Sequence, residues 1–243
     1  MAFDKTFVTR INITPDDLSQ LGIAEELPEL EKWEAAFKIF ETDEDEISKF
    51  LKRYKSIGID SVDKKLVVAE LFCGKGNSLV ALERLGFKNL IGVDLSERLL
   101  SNYSGIAKTY VGDCLNLDML NNASIDIVII QGGVHHLDNL ETSLPILFNG
   151  ISKILNKNGK FVLIEPWLTP FLQFVHFISG FRFIRMINST ICAFAIMVFF
   201  EKKTYKQWLN NSKNIYLALQ SFFIVKSTKK EHGKIFITLS TKS

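Results

Sequence analysis

The sequence predicts an α/β fold, a doubly wound sheet of seven strands that is mostly parallel and ends in a C-terminal antiparallel hairpin. Three observations carry this. Short apolar runs rich in branched residues alternate with segments of helical period, five times over, before Pro166. The first run leads into its helix through Cys73-Gly74-Lys75-Gly76-Asn77, where two glycines permit a tight turn and a close approach to a ligand. The tail then supplies two further runs, Phe222–Val225 and Lys234–Leu239, joined by the polar turn Lys229-Lys230-Glu231-His232-Gly233. Strand–helix–strand repeats require right-handed crossovers, so the ligand edge lies where the parallel strands end.

The chain opens differently, and residues 1–65 are expected to form a helical cap ahead of the sheet domain over 66–243. Thr14-Pro15-Asp16-Asp17 is a helix start, with a capping hydroxyl, a proline in the first turn and acids at the positive end. Pro28 opens a second helix with Leu30, Trp33, Phe37 and Phe40 on one side. Asp43–Ile57 is a third, amphipathic through Ile47, Phe50, Leu51 and Tyr54. Its acidic start and basic end suit the helix dipole and are read as a solvated face. Trp33, Phe37 and Tyr54 are candidates either for core packing or for a substrate cavity.

Leu66–Leu71 is the first strand, apolar enough to be buried on both faces. The following helix carries Leu79, Leu82 and Leu85 and stops at Gly86. Asn89–Val93 is the second strand, and Asp94 at its tip stands about 20 residues beyond the glycine turn, where a carboxylate takes the hydroxyls of a ribose. Ser96 caps a short helix, and Ala107–Val111 forms a third strand that ends at Gly112-Asp113-Cys114. Ile125–Ile130 is the fourth, followed by Gln131-Gly132-Gly133-Val134-His135-His136. A helix over Leu140–Leu155, a reversing turn at Asn156–Gly159 and a fifth strand at Lys160–Glu165 complete the parallel part.

Glu70-Leu71-Phe72-Cys73-Gly74-Lys75-Gly76 and Val93-Asp94 resemble motifs I and II of the class I S-adenosylmethionine-dependent methyltransferases, which have a Rossmann-like sheet. Phe72 stands where that family usually has its first glycine, so its backbone is expected to suit a bulky residue. The resemblance implies S-adenosyl-L-methionine as cofactor and a set of residues around it. Glu70, Phe72, Cys73, Gly74 and Gly76 would form the loop. Asp94 and Leu95 would hold the ribose side, Asp113 and Cys114 the adenine, and Gln131 the methionine portion. For the acceptor, His135, Glu165 and His176 are the candidate catalytic groups, with His136 and Trp167 nearby in the chain. Imidazole titrates near neutrality, which suits a general base; each histidine could equally hold structure through hydrogen bonds.

Pro166–Phe200 is dense in phenylalanine, and its only charges before Glu201 are Arg182 and Arg185. Pro170, Gly180 and the arginines interrupt it, so a membrane span is not expected. An insert over about 166–215 is read as a helical lid or apolar substrate wall. The competing reading is an amphipathic surface resting on a bilayer, a peripheral membrane contact through 166–200. The expected acceptor is small or lipid-like.

Composition narrows the rest. At 243 residues and 47% hydrophobic, the chain can bury a full core. A formal charge of +2 gives no basic footprint for nucleic acid, and no such partner is expected. Cys73, Cys114 and Cys192 are odd in number and far apart. They match neither a disulfide framework nor a metal site, so the expectation is a cytoplasmic protein without metal. Met1–Arg10 shows no cleaved-signal pattern. Two rivals stay open: a catalytically silent methyltransferase-like binding protein, and a nicotinamide-dependent oxidoreductase, whose fingerprint wants a third glycine where Leu79 stands.

Overall fold

The computed structural model describes residues 10–120 and 125–242. Its centre is one seven-stranded sheet in the order β3-β2-β1-β4-β5-β7-β6. The strands are β1 (Val67–Leu71), β2 (Asn89–Asp94), β3 (Lys108–Val111), β4 (Ile125–Gln131), β5 (Leu155–Pro166), β6 (Phe223–Glu231) and β7 (Lys234–Thr241). The first five run parallel, and β7 is antiparallel to both β5 and β6. The Rossmann-like sheet with its terminal hairpin is therefore as the sequence predicts.

Period-two alternation sorts the strand residues between two cores. Val68, Ile127, Ile129 and Val162 face α3 (Asp43–Ser56) and α4 (Asn77–Arg84), which bring Ile47, Phe50, Tyr54 and Leu82. Ala69, Val128, Ile130, Phe161 and Leu163 face the opposite layer, where α6 (Leu140–Ile154) and α11 (Ser212–Phe222) contribute Leu147, Phe148, Ile151 and Leu219. Central strands buried on both sides need continuous apolar runs, which is why β1 and β4 were so legible.

Two local expectations are corrected. Asn156–Gly159 does not reverse the chain: β5 already begins at Leu155, and the four residues bulge out between the pairs Ile125–Leu155 and Ile127–Lys160. Asn156 Nδ2 donates to Asp126 Oδ1 at 2.6 Å, which ties the bulge to the opening acid of β4. The hairpin turn is also shorter than expected. Lys229–Glu231 are strand residues, and the reversal falls on His232 and Gly233, both left-handed at φ 46° and 78°. That is the geometry of a two-residue hairpin matched to sheet twist.

The N-terminal helices divide between two places. α3 lies against α4 on the sheet, whereas α1 (Pro15–Ser19) and α2 (Glu29–Phe40) pack on the insert helix α9 (Ser189–Phe200). Leu18, Ile23 and Ala36 meet Cys192, Ala193 and Ile196 there. A buried ion pair fastens the contact. Arg185, in α8 (Arg182–Ile187), reaches Asp17 Oδ1 through Nε at 2.8 Å and Asp17 Oδ2 through Nη2 at 3.1 Å. Its remaining donors take Ser179 O at 2.9 Å and Asn12 O at 3.1 Å. Asp17 meanwhile closes the capping box with Thr14. α7 (Pro170–Ser179) and α10 (Lys202–Asn210) complete the insert. Among the described residues no helix is long and apolar enough to cross a membrane.

Candidate active site

The strand ends bring the predicted groups to one rim. After β1 the chain turns through Phe72-Cys73-Gly74-Lys75-Gly76, with Gly74 at φ 53° and Gly76 at φ 81°. A Cβ on Gly76 would stand 2.4 Å from the Tyr103 ring, so only glycine fits. Gly74 faces open space, where a ligand can approach its backbone. The turn is braced by Asp94, which accepts from Gly74 N at 2.7 Å and from Ser96 N at 2.9 Å. Each of its carboxylate oxygens keeps a lone pair for a ribose hydroxyl. Beside it Leu95 is 72% exposed, an apolar surface at the mouth of the rim. Asp113 is exposed after β3 and accepts from Leu115 N at 2.9 Å. Cys73 and Cys114 are buried, and burial pushes both thiols up, Cys114 to about 12.

Phe72 departs from expectation. Its backbone sits at φ 59°, the left-handed region that glycine adopts freely, at a cost of about 1–2 kcal/mol for a residue with a Cβ. Packing accounts for its presence. A Cβ on Gly133 would come 2.3 Å from Phe72 Cβ, so the glycine after β4 leaves room for the aromatic residue after β1.

Beneath the turn lies a polar cluster. Glu70 is 2% exposed, and burial first, then the charges of Glu46 and Asp94, raise its pKa to about 8, against the lowering effect of a hydrogen bond from Ser78. Gln131 Nε2 donates to Tyr54 Oη at 2.8 Å and Ser78 Oγ at 3.1 Å, and the two hydroxyls bond each other. Tyr54 is fully buried and acts as a strut between α3 and the site. Two acceptors are left over: Glu70 Oε2 and Gln131 Oε1 are buried without a hydrogen-bond partner. The acidic start of α3, expected to be solvated, instead grips the turn. Asp43 pairs with Lys75, and Asn77 Nδ2 donates to Asp43 at 3.1 Å and to Glu46 at 2.8 Å.

The candidate catalytic groups gather on the other side of β4. Glu165, fully buried at the end of β5, accepts from Gly133 N at 2.9 Å and Val134 N at 2.7 Å through Oε1. Its Oε2 takes His135 Nδ1 at 2.7 Å. Burial raises Glu165 to about 7, opposed by the Val134 and Gly133 amides and by Lys234. His135 is held down to about 3 by burial and by Lys234, so its ring is neutral and its tautomer set by Glu165. Its Nε2 lies 3.8 Å from Glu201 Oε2, and His136 Nδ1 lies 3.5 Å from Glu201 Oε1. These three side chains present ligand atoms within 4.8 Å of one another, a spacing a cation could share. His176 stands one step removed: its Nε2 meets Tyr205 Oη at 3.2 Å, and the Tyr205 ring lies 5.9 Å from that of His135. Trp167 packs edge-on against Trp208 and Tyr216 and belongs to the core.

Glu201 and Tyr205 were not foreseen. Glu201 is the first acid after the charge-poor run 166–200, and that position was the available signal. Burial and the charge of Glu165 raise its pKa to about 8.

A glycine turn between parallel strands, an acid at the tip of the second strand and the order 3-2-1-4-5-7-6 are the architecture of the class I S-adenosylmethionine-dependent methyltransferases. Family comparison agrees: residues 69–163 match the family described as "Methyltransferase domain". It is similar to an mRNA cap guanine-N(7) methyltransferase of Schizosaccharomyces pombe, 25% identical over 43% of this chain and 33% of that one. A demethylmenaquinone methyltransferase of Leptospira interrogans is 28% identical over 46% of this chain and 50% of that one. The chain thus spans a third to a half of the length of these curated relatives. Among solved structures, a candidate S-adenosylmethionine-dependent methyltransferase of Methanococcus maripaludis superposes with TM-score 0.60 at 15% identity, covering 87% of this chain and 94% of that one. The glycopeptide N-methyltransferase MtfA in complex with S-adenosylmethionine gives TM-score 0.54 at 11% identity, covering 79% and 94%. These last two likenesses concern the fold.

Proposed function

We propose that the protein transfers the methyl group of S-adenosylmethionine to a small, apolar acceptor held between the rim and the insert. The observation that carries the cofactor assignment is the pair of orphaned buried acceptors, Glu70 Oε2 and Gln131 Oε1. Buried acceptors without donors are costly, and the methionine end of the cofactor brings an ammonium with three. Asp94 would take the ribose, Leu95 the apolar face of the adenine, and Asp113 with the Cys114 amide its polar edge. When bound, the cofactor supplies a methyl group already activated toward nucleophiles.

The remaining work is alignment and proton removal. His135 presents Nε2 as an acceptor, fixed by its Nδ1 bond to Glu165. That bond orients an acceptor hydroxyl or amine. With a pKa near 3 the imidazole positions the nucleophile and is a poor terminal base. Glu201, raised to about 8, is mostly protonated at pH 7, and its carboxylate form, which grows as pH rises through 8, receives the proton. His176 acts on His135 only through Tyr205. The aromatic insert and a formal charge of +2 favour an apolar acceptor over a polyanion.

The test uses tritiated methyl from S-adenosylmethionine, incubated with the protein and a cell extract and then partitioned between organic and aqueous phases. Label in the organic phase that falls at least tenfold in His135→Ala supports the reading. Label confined to nucleic acid overturns the acceptor class. Calorimetric binding of S-adenosylhomocysteine with no turnover identifies a silent binder, and binding of NAD in its place an oxidoreductase.

A further inference from the structure

The insert buries one helix and exposes the face of two others. α9 has a buried face, with Cys192, Ala193, Ala195 and Ile196 fully buried. α7 and α8 instead turn large apolar side chains outward. On α7 these are Phe171, Phe174 and Phe177, three residues apart and hence on one stripe, while Leu172, His176 and Ser179 point inward. On α8 they are Phe183, Met186 and Ile187. Phe181 joins the two stripes, its ring 4.9 Å from that of Phe177. A continuous apolar band of this size on a protein surface marks a place where something docks.

We propose that this band is a docking surface for an anionic phospholipid bilayer. Two features select that occupant. The first is chemical: the band offers aromatic and aliphatic side chains with almost no hydrogen-bonding groups among them, and α7 contains no Asp, Glu, Lys or Arg. Arg185 is turned into the protein, and Arg182 is neutralised by Asp16. Such a face suits a fluid acyl region, which asks for apolar area and no shape match. The second is charge. The N-terminal end of α7 abuts the β6–β7 turn, with Phe171 5.9 Å from His232 and Leu172 against Gly233. The end of β6 carries exposed Lys229 and Lys230 and the turn itself exposed His232, beside a single acid, Glu231, which Lys229 pairs and His232 Nδ1 approaches at 3.6 Å. Basic side chains at the edge of an apolar band lie at headgroup height when the band is immersed, where anionic lipid attracts them. The docked helix also carries His176 on its inner face, so the surface adjoins the site without depending on the assignment of the cofactor.

The experiment is flotation of the full chain with vesicles of neutral phosphatidylcholine and of phosphatidylcholine containing phosphatidylglycerol. Two variants accompany it: Phe174→Ser/Phe183→Ser/Ile187→Ser, at positions 58%, 71% and 69% exposed, and Lys229→Glu/Lys230→Glu. Circular dichroism and sedimentation velocity of every protein report fold and oligomeric state. The expected result is binding to the anionic vesicles only. It falls at least tenfold in the apolar variant and severalfold in the charge variant or in high salt. No vesicle binding by the native chain overturns the proposal, as does equal binding to neutral vesicles. Binding that survives both sets of substitutions also overturns it. A dimer that the apolar substitutions dissociate, with no vesicle binding, reassigns the face to self-association. If the apolar variant fails to fold, the charge variant and the two lipid compositions still decide.

Discussion

Replacing Glu70 by glutamine should make the protein more stable at alkaline pH while weakening the cofactor, two effects of opposite sign from one atom exchange. Glu70 is raised from 4.5 to about 8 by burial, so between those values the folded protein holds a proton that the unfolded chain releases. A raised acid contributes stability that is whole below pH 4.5 and is lost as pH rises through 8. From these two values the group costs about 2 kcal/mol at pH 6 and about 4 kcal/mol at pH 8. Glutamine has no such titration. Urea unfolding of the Glu70→Gln variant should therefore gain about 2 kcal/mol on the native chain between pH 6 and pH 8. Calorimetric titration with S-adenosylhomocysteine should move the other way above pH 8, where Glu70 is ionised and the ammonium loses a charged partner worth about 1.5–3 kcal/mol. Parallel pH profiles for the two proteins would refute the buried titration. An unchanged affinity would remove Glu70 from the cofactor site.

Other substitutions probe separate contacts. Gly133→Ala should destabilise by about 1–3 kcal/mol by forcing a Cβ against Phe72, and Phe72→Gly in the same chain should erase most of that penalty; additive losses in urea melts would break the proposed pairing. Asp17→Ala leaves Arg185 buried and uncompensated, so unfolding free energy should fall by about 3–5 kcal/mol, and a loss below 1 kcal/mol would mean the arginine escapes to water. Asp94→Ala should cost roughly 2 kcal/mol of S-adenosylhomocysteine affinity, and an unaltered titration excludes the ribose role.

The sheet was legible because its strands obey local rules. β1 and β4 are largely apolar runs, and the glycine turn after β1 and the acid Asp94 at the end of β2 sit at fixed offsets that chain geometry enforces. What escaped notice depends on contacts far apart in sequence. Asp17 looked like an ordinary first-turn acid, yet its partner Arg185 lies 168 residues away. Asp43 and Glu46 looked solvated because an acidic first turn satisfies the dipole unaided, while their partners Lys75 and Asn77 lie across the cofactor turn. Glu201 gave almost no local pattern, and only folding brings it to the two histidines. Phe72 shows the converse: the motif flagged it as an exception, but its left-handed backbone and its claim on the space above Gly133 are set by a strand 60 residues on.

These long-range contacts share a consequence for the site. α3 holds the cofactor turn from one side through Asp43, Glu46 and Tyr54, while α2 leans on α9, whose end delivers Glu201 to His135. The glycine turn and the His135–Glu201 group are thus linked through consecutive helices of one N-terminal segment, α2 and α3, separated by only Glu41 and Thr42. A shift of that segment would disturb the Lys75–Asp43 pair and the bed of α9 together. Weakening the bed, by Ala36→Leu against Cys192 and Ala193, should therefore raise the Kd for S-adenosylhomocysteine although Ala36 is remote from the turn, and should accelerate amide exchange in both α3 and α9. Faster exchange confined to α9, with native affinity for the cofactor analogue, would show that the two halves of the site are held independently.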